Sequence, residues 1–255
     1  MLKTTDGGST WNKIKEVCSI RTLKYTDNTL WSLHSDPKTK NATLSKSTDE
    51  GKTWTDIPLG TSSSSDNPAA IAIHPDNPNN IYIVLLSLNA DQEDRNKMSG
   101  KSRILKSTDG GKTVKTILEK PFTLDMNTIT PESIPVNPMI NNVVIDPSDK
   151  HIFYYSAGDG IFRSQNDGNK WTEVYDKQAM NLYVNTKGDV YASNGNEIIC
   201  SKNNGESWNE IFKMSKTNEG STIPIPNVIM NMKIDEKRNL LYYSTPAGLF
   251  STKLK

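Results

Sequence analysis

Hydrolysis of a glycosidic bond needs two carboxyl groups roughly 5–10 Å apart, one to give a proton and one to attack or to activate water. The acids of this chain that could do such work fall into two sets. One set recurs at the same place in a short pattern, as Asp6, Asp49 and Asp109, with Asn166 and Asn203 at the equivalent places. An amide accepts the hydrogen bonds of a turn as a carboxylate does, but it transfers no proton. A position that takes either is a turn former. The second set lies in long insertions: Asp91, Glu93 and Asp94 between Leu86 and Ser102, and Asp125 and Glu132 between Glu119 and Met139. Insertions seldom hold groups with the positional accuracy that catalysis requires, so no catalytic set is assigned. The candidate binding groups are Asp91, Glu93, Arg95, Asp125 and Glu132 in these insertions, with Arg21 from a strand.

Other chemistries find no residues. His34, His74 and His151 stand apart, without the paired Cys/His spacing of a metal site. Cys18 and Cys200 fall in different repeats and read as small packed apolar residues. Pieces such as TDGG lack the Gly-x-x-x-x-Gly-Lys spacing of a phosphate loop. No metal and no cofactor is implied.

The elements that must position these groups are set by the repeated pattern itself, Ser/Thr-x-Asp/Asn-x-Gly-x-x-Trp. Its copies are TTDGGSTW from Thr4, STDEGKTW from Ser47, STDGGKTV from Ser107, SQNDGNKW from Ser164 and SKNNGESW from Ser201. The first and third residues can bond the amides of a tight turn, and glycine (Gly8, Gly51, Gly111, Gly168, Gly205) supplies a positive φ. Trp11, Trp54, Trp171 and Trp208 close their copies and are expected to bury a large ring face; Val114 takes that place in the third. Around the fourth copy, NNVVIDP, HIFYYSAG, GIFRS and KWTEVY are short apolar, β-branched or aromatic runs separated by turn residues. Four antiparallel strands per unit, with no helical periodicity, predict an all-β propeller of four-stranded blades.

Thirty basic and 29 acidic side chains give a net charge of +1, without the basic stripe that nucleic acid requires. No apolar run is long enough to span a membrane, so no membrane insertion is expected.

The recurring pattern resembles the Asp-box, or BNR repeat, of sialidases, xyloglucanase-like glycoside hydrolases, sortilin-type receptor domains and photosystem-assembly factors. IAIHPDNPNNIYI, from Ile71 to Ile83, is similar to the first two strands of a bacterial blade. The resemblance implies the propeller fold along the whole chain and an extracytoplasmic or secreted setting, while enzymes and binders share it alike. A sialidase of this kind would need three arginines from separate blades. The chain has Arg21, Arg95, Arg103, Arg163 and Arg238, with serine at Ser133 where the family's Arg-Ile-Pro would begin. A xyloglucanase would need facing carboxylates and aromatic platforms. Trp31, the one tryptophan outside the pattern, alternates with Leu33 and reads as core.

One propeller domain is expected over 1–255, with a partial blade at 1–16, four complete blades over 17–225 and a partial blade at 226–255. This makes an incomplete ring with five to six blades represented; a closed ring is the alternative. The turns between first and second strands are short, so the insertions, including Lys213–Asn227, gather on the opposite face. That face is the expected site for a protein or carbohydrate ligand, unless the insertions are solvated decoration.

Overall fold

The computed structural model describes residues 1–17, 19–59, 66–90, 94, 96–125, 127, 138–214 and 228–254. The chain forms two compact units, Met1–Pro135 and Val136–Lys255. Both are built from antiparallel strands, and the sheets are blades of a β-propeller.

In the first unit β1 (Leu2–Lys3) pairs with β2 (Asn12–Lys13) in a two-stranded sheet. β3 (Ser19–Thr26), β4 (Thr29–Ser35), β5 (Ala42–Ser47) and β6 (Thr55–Pro58) then meander in chain order. So do β7 (Asp66–Ile73), β8 (Ile81–Ala90), β9 (Lys97–Ser107) and β10 (Lys115–Asp125). The second unit holds two further four-stranded meanders. The first comprises β11 (Ile140–Ile145), β12 (Phe153–Ala157), β13 (Gly160–Ser164) and β14 (Thr172–Tyr175). The second comprises β15 (Asn181–Val184), β16 (Val190–Asn194), β17 (Glu197–Ser201) and β18 (Asn209–Lys213). A three-stranded sheet follows, of β19 (Asn231–Asp235), β20 (Leu240–Thr245) and β21 (Gly248–Lys253).

Neighbouring blades within a unit pack face to face through side chains that alternate along the strands. Trp31, Leu33 and Leu44 of one blade meet Ile71, Ile83 and Leu105 of the next. In the second unit Tyr154 and Ile161 meet Leu182, Val190 and Ile199. Trp31 is core, as its alternation predicts, and Cys200 is a buried free thiol; Cys18 lies outside the described residues.

Each patterned turn joins a third strand to a fourth and is closed by its own first and third residues. In the second copy, Ser47 Oγ donates to Asp49 at 2.8 Å and accepts from the Gly51 N–H at 2.8 Å. Asp49 then accepts from the Thr53 N–H at 2.8 Å and from the Thr53 hydroxyl at 2.6 Å. Asn203 reproduces the turn with an amide, accepting from the Ser207 N–H at 3.0 Å and donating to Ser207 Oγ at 3.0 Å. The tryptophans are less buried than their size leads one to expect. Trp11 is 57% exposed, and Trp54, Trp171 and Trp208 are half-buried. Their rings lie along the blade edge: Trp54 Nε1 donates back to Gly51 O at 3.0 Å, and Trp171 meets Tyr155 edge-on at 4.8 Å.

The glycines, more than the tryptophans, make the contact between blades. A Cβ on Gly51 would lie 2.9 Å from Ile14, one on Gly111 would lie 2.8 Å from Leu44, and one on Gly205 would lie 2.8 Å from Val174. In each case the side chain met belongs to the preceding sheet. The turn therefore seats against its neighbour at a place where any side chain would collide.

Candidate functional site

The insertion that the sequence places as a loop between Leu86 and Ser102 is instead a continuation of the sheet. β8 and β9 stay paired out to Ala90 and Met98, and β10 follows β9 as far as Asp125 opposite Lys97. The physical reason lies in the residues themselves. Leu86, Leu88, Met98 and Phe122 alternate with polar neighbours, so extending the ladder satisfies the backbone while sorting the side chains onto two faces. Gly100 stands between Leu88 and Phe122 in the register. A Cβ there would lie 2.7 Å from the Phe122 ring and 2.3 Å from Ser87 O, so glycine lets the buried ring lie across the strand. The result is a three-stranded wing on the face opposite the patterned turns.

The other face of the wing is polar. Asp66 opens β7, is almost fully buried, and accepts from Ser87 Oγ and from Arg103 Nη2. Arg103 Nη2 also reaches Ser87 Oγ at 3.2 Å, while its Nε is buried without a partner among the described residues. Beside this cluster Lys101 pairs with Glu119 at 3.0 Å, each 45% exposed. At the tip, Asn96 Nδ2 donates to Asn127 Oδ1 at 2.8 Å, and Asn127 Nδ2 donates to Asp94 Oδ2 at 3.2 Å. The Asn127 N–H donates to Asp125 at 3.0 Å.

Of the residues singled out from sequence, Asp125 takes its place in this tip network. Arg21 stands exposed at a bulge in β3, and the wing's network forms without it. Asp91, Glu93, Arg95 and Glu132 lie outside the described residues. Sequence reasoning missed Asp66, Ser87 and Arg103. They are far apart along the chain, and only the register of β7, β8 and β9 brings them together. The arginines serve separate partners: Arg103 binds Asp66, Arg163 donates to Asn204 O at 2.7 Å, and Arg238 meets Asp235 at 3.4 Å.

Electrostatically the patterned acids are tied to their turns. Asp6, Asp49 and Asp109 are each held down to a pKa of about 2, chiefly by the hydroxyls of Thr10, Thr53 and Thr113 and then by the N–H groups of the same threonines. A carboxylate so held is a poor proton donor near neutrality. On the wing, Asp66 and Glu119 are each committed to a cation.

The low pKa values carry a prediction. The folded state favours the charged form more than the unfolded chain does, where the ordinary value is 3.8. The stabilisation is therefore complete above about pH 4 and is lost as pH falls toward 2. Replacing all three acids with Asn should flatten the decline of the unfolding midpoint across that window, chiefly by lowering the midpoint at pH 7 toward its value at low pH. An unaltered acid slope in the triple variant would show that the turns do not carry it.

The family model described as sortilin, neurotensin receptor 3, matches residues 1–155. The chain belongs to the Sortilin-Vps10 family. A second model, the DUF6242 β-propeller domain, matches residues 87–241. Among individual relatives, the chain is 35% identical over 108 residues to xyloglucanase Xgh74A of Acetivibrio thermocellus, a stretch covering 41% of this chain and 11% of the relative. It is 29% identical over 124 residues to a Paenibacillus xyloglucanase, covering 48% of this chain and again 11% of the relative. The chain thus spans about a tenth of the length of the curated relatives it matches. Among solved structures, YCF48 bound to D1 peptide has a TM-score of 0.56 at 17% identity, with 94% of this chain and 68% of that one covered. The GH74 xyloglucanase of Xanthomonas campestris also has a TM-score of 0.56, at 14% identity, with 91% of this chain and 36% of that one covered. These structural likenesses concern the fold.

Proposed function

We propose that this propeller is a non-catalytic binding module whose wing, β8 to β10, presents its polar face to a protein or carbohydrate ligand. The observation that supports this reading is the state of the acids. Asp6, Asp49 and Asp109 are saturated by turn donors, and Asp66 and Glu119 are engaged by Arg103 and Lys101. The wing's backbone is paired as far as Ala90 opposite Met98 and Asp125 opposite Lys97, which suits recognition with little ordering cost. A location outside the cytoplasm goes with this reading, as expected of the families that the pattern resembles.

A second reading, a portion of a glycoside hydrolase, is favoured by the 35% identity to xyloglucanase Xgh74A. The two readings part on turnover. The purified chain at micromolar concentration is expected to release no reducing ends from xyloglucan and no sialic acid from sialosides. Isothermal titration with xyloglucan oligosaccharides then separates a carbohydrate ligand from a protein one, and Lys101→Glu should weaken any carbohydrate binding. Turnover of xyloglucan by the chain would overturn the binding reading and install the hydrolase in its place.

A further inference from the structure

Three buried polar atoms in the seam between the two four-stranded blades of the second unit have no hydrogen-bond partner among the described residues. They are Asp146 Oδ2, Tyr154 Oη and Arg163 Nε. The register puts them on one face. Tyr154 of β12 lies opposite Val144 of β11 on one side and Arg163 of β13 on the other. Two residues beyond Val144, Asp146 returns to that face, its N–H donating to Ile152 O at 2.9 Å. The face packs on the next blade, where Ile152 and Tyr154 meet Leu182, Val190 and Ile199. Tyr154 is 0% exposed and Asp146 1%. Turns of the next blade close over the place: a Cβ on Gly188 would lie 3.4 Å from Asp146 Oδ2, and Arg163 Nη1 donates to Asn204 O at 2.7 Å.

The blades of the first unit use the same positions differently. Trp31 lies opposite Lys46, and Tyr82 opposite Lys106. Each ammonium stands over its ring, at 5.7 and 5.3 Å from the centroid. Thr26 and His74 hold the place that Asp146 holds here, so those pairs have no carboxylate there. In the second unit the carboxylate is fixed by its other oxygen. Asp146 Oδ1 accepts from the Ser148 N–H at 2.7 Å and from the Ser148 hydroxyl at 2.6 Å, which leaves Oδ2 for a further donor. Burial first, and then the charge of Asp146, push the Tyr154 hydroxyl well above its ordinary pKa, with Arg163 acting against them. The phenol therefore keeps its proton, and it lies within reach of both charges. Buried polar atoms left without a partner are costly, and here three of them share one face.

We propose that Asp146 Oδ2, Tyr154 Oη and Arg163 Nε form a binding site for one internal water molecule that fastens the seam between these two blades. The class of ligand follows from the valences. Arg163 Nε–H only donates, the carboxylate oxygen of Asp146 only accepts, and the tyrosine hydroxyl does either. A cation would face Arg163 and an anion would face Asp146, so a small neutral molecule with both donors and acceptors fits. Water accepts from Arg163 and Tyr154 and donates to Asp146, the three bonds that buried water typically makes. Through Arg163 it ties the turn after β11 to the patterned turn of the next blade, which Arg163 holds at Asn204 O. The site is independent of the wing and of any ligand there.

A crystal structure of the full chain, at a resolution that shows ordered solvent, tests the site. One water should lie about 3 Å from all three atoms. A direct bond from Tyr154 Oη to Asp146 Oδ2, or a water touching fewer than three of the atoms, would overturn the proposal. Deuterium magnetic relaxation dispersion checks it in solution, where slowly exchanging internal water is counted by the dispersion amplitude. Tyr154→Phe and Arg163→Lys should each lower that amplitude by the contribution of one water. Lysine suits the second variant because Lys46 and Lys106 already occupy this register position in other blades. Lys3 shows that an ammonium can hold the next turn's carbonyl, donating to Glu50 O at 2.9 Å. Arg163→Lys thus keeps a donor for Asn204 O and removes Nε, and it serves alone if Tyr154→Phe does not fold by circular dichroism. An amplitude equal to the parent's in either folded variant would count against the site and sink the proposal.

Discussion

Gly205→Ala is expected to destabilise the second unit by about 3 kcal/mol, whereas Gly195→Ala should cost only about 1 kcal/mol. Both glycines have left-handed backbones, with φ of +89° and +68°, so both substitutions carry the penalty of an L residue there. They differ in surroundings. A Cβ on Gly195 meets nothing within 4 Å, while one on Gly205 would lie 2.8 Å from both Cβ and Cγ2 of Val174. Val174 is β-branched and has little freedom to turn away, so the turn or the blade must shift. The difference between the two variants therefore isolates the seating contact from backbone strain. Urea unfolding of both variants reads it directly, and equal losses would show that the blades tolerate a side chain at the seat.

Much of this architecture is legible in the sequence, because the patterned turn names its own surroundings. The first and third residues forecast the hydrogen bonds of Ser47 and Asp49, and the exchange of Asp49 for Asn203 forecasts that the acid is structural. Strand alternation placed Trp31 and Leu33 in the core, and the antiparallel order of four per blade follows from runs such as HIFYYSAG and GIFRS. Two features escaped. The wing reads as an insertion because its charged stretch, with Asp94 and Lys97, masks the alternation of Leu86, Leu88, Met98 and Phe122 on either side. Its length as a strand depends on Gly100 facing Phe122, a cross-strand pairing that spacing along one chain does not reveal. The tryptophans were misjudged for a related reason. Ring size suggests burial, but Trp11 and Trp54 hold their turns by donating to Gly8 O and Gly51 O at 3.0 Å, from the surface.

The candidate site was less legible than the fold, and Asp66 shows why. Nothing in Asp66-Asn67-Pro68 distinguishes it from a turn acid. Its role comes from burial and from Ser87 and Arg103, which the register delivers. That role yields the sharpest expectation for the wing. Asp66→Ala should cost about 3 kcal/mol or more, since it strands a mostly buried guanidinium whose Nε already has no partner among the described residues. Glu119→Ala removes the partner of Lys101, but both groups are 45% exposed and water replaces the lost contact. Its cost should be within about 0.5 kcal/mol. Asp66→Asn separates charge from shape: it keeps an oxygen for Ser87 and Arg103 but leaves the cation unneutralised, so its loss should fall between the two. Chemical denaturation of the three variants gives the ordering. A fully stable Asp66→Ala would free this carboxylate from its structural duty and make it a candidate for acid–base chemistry.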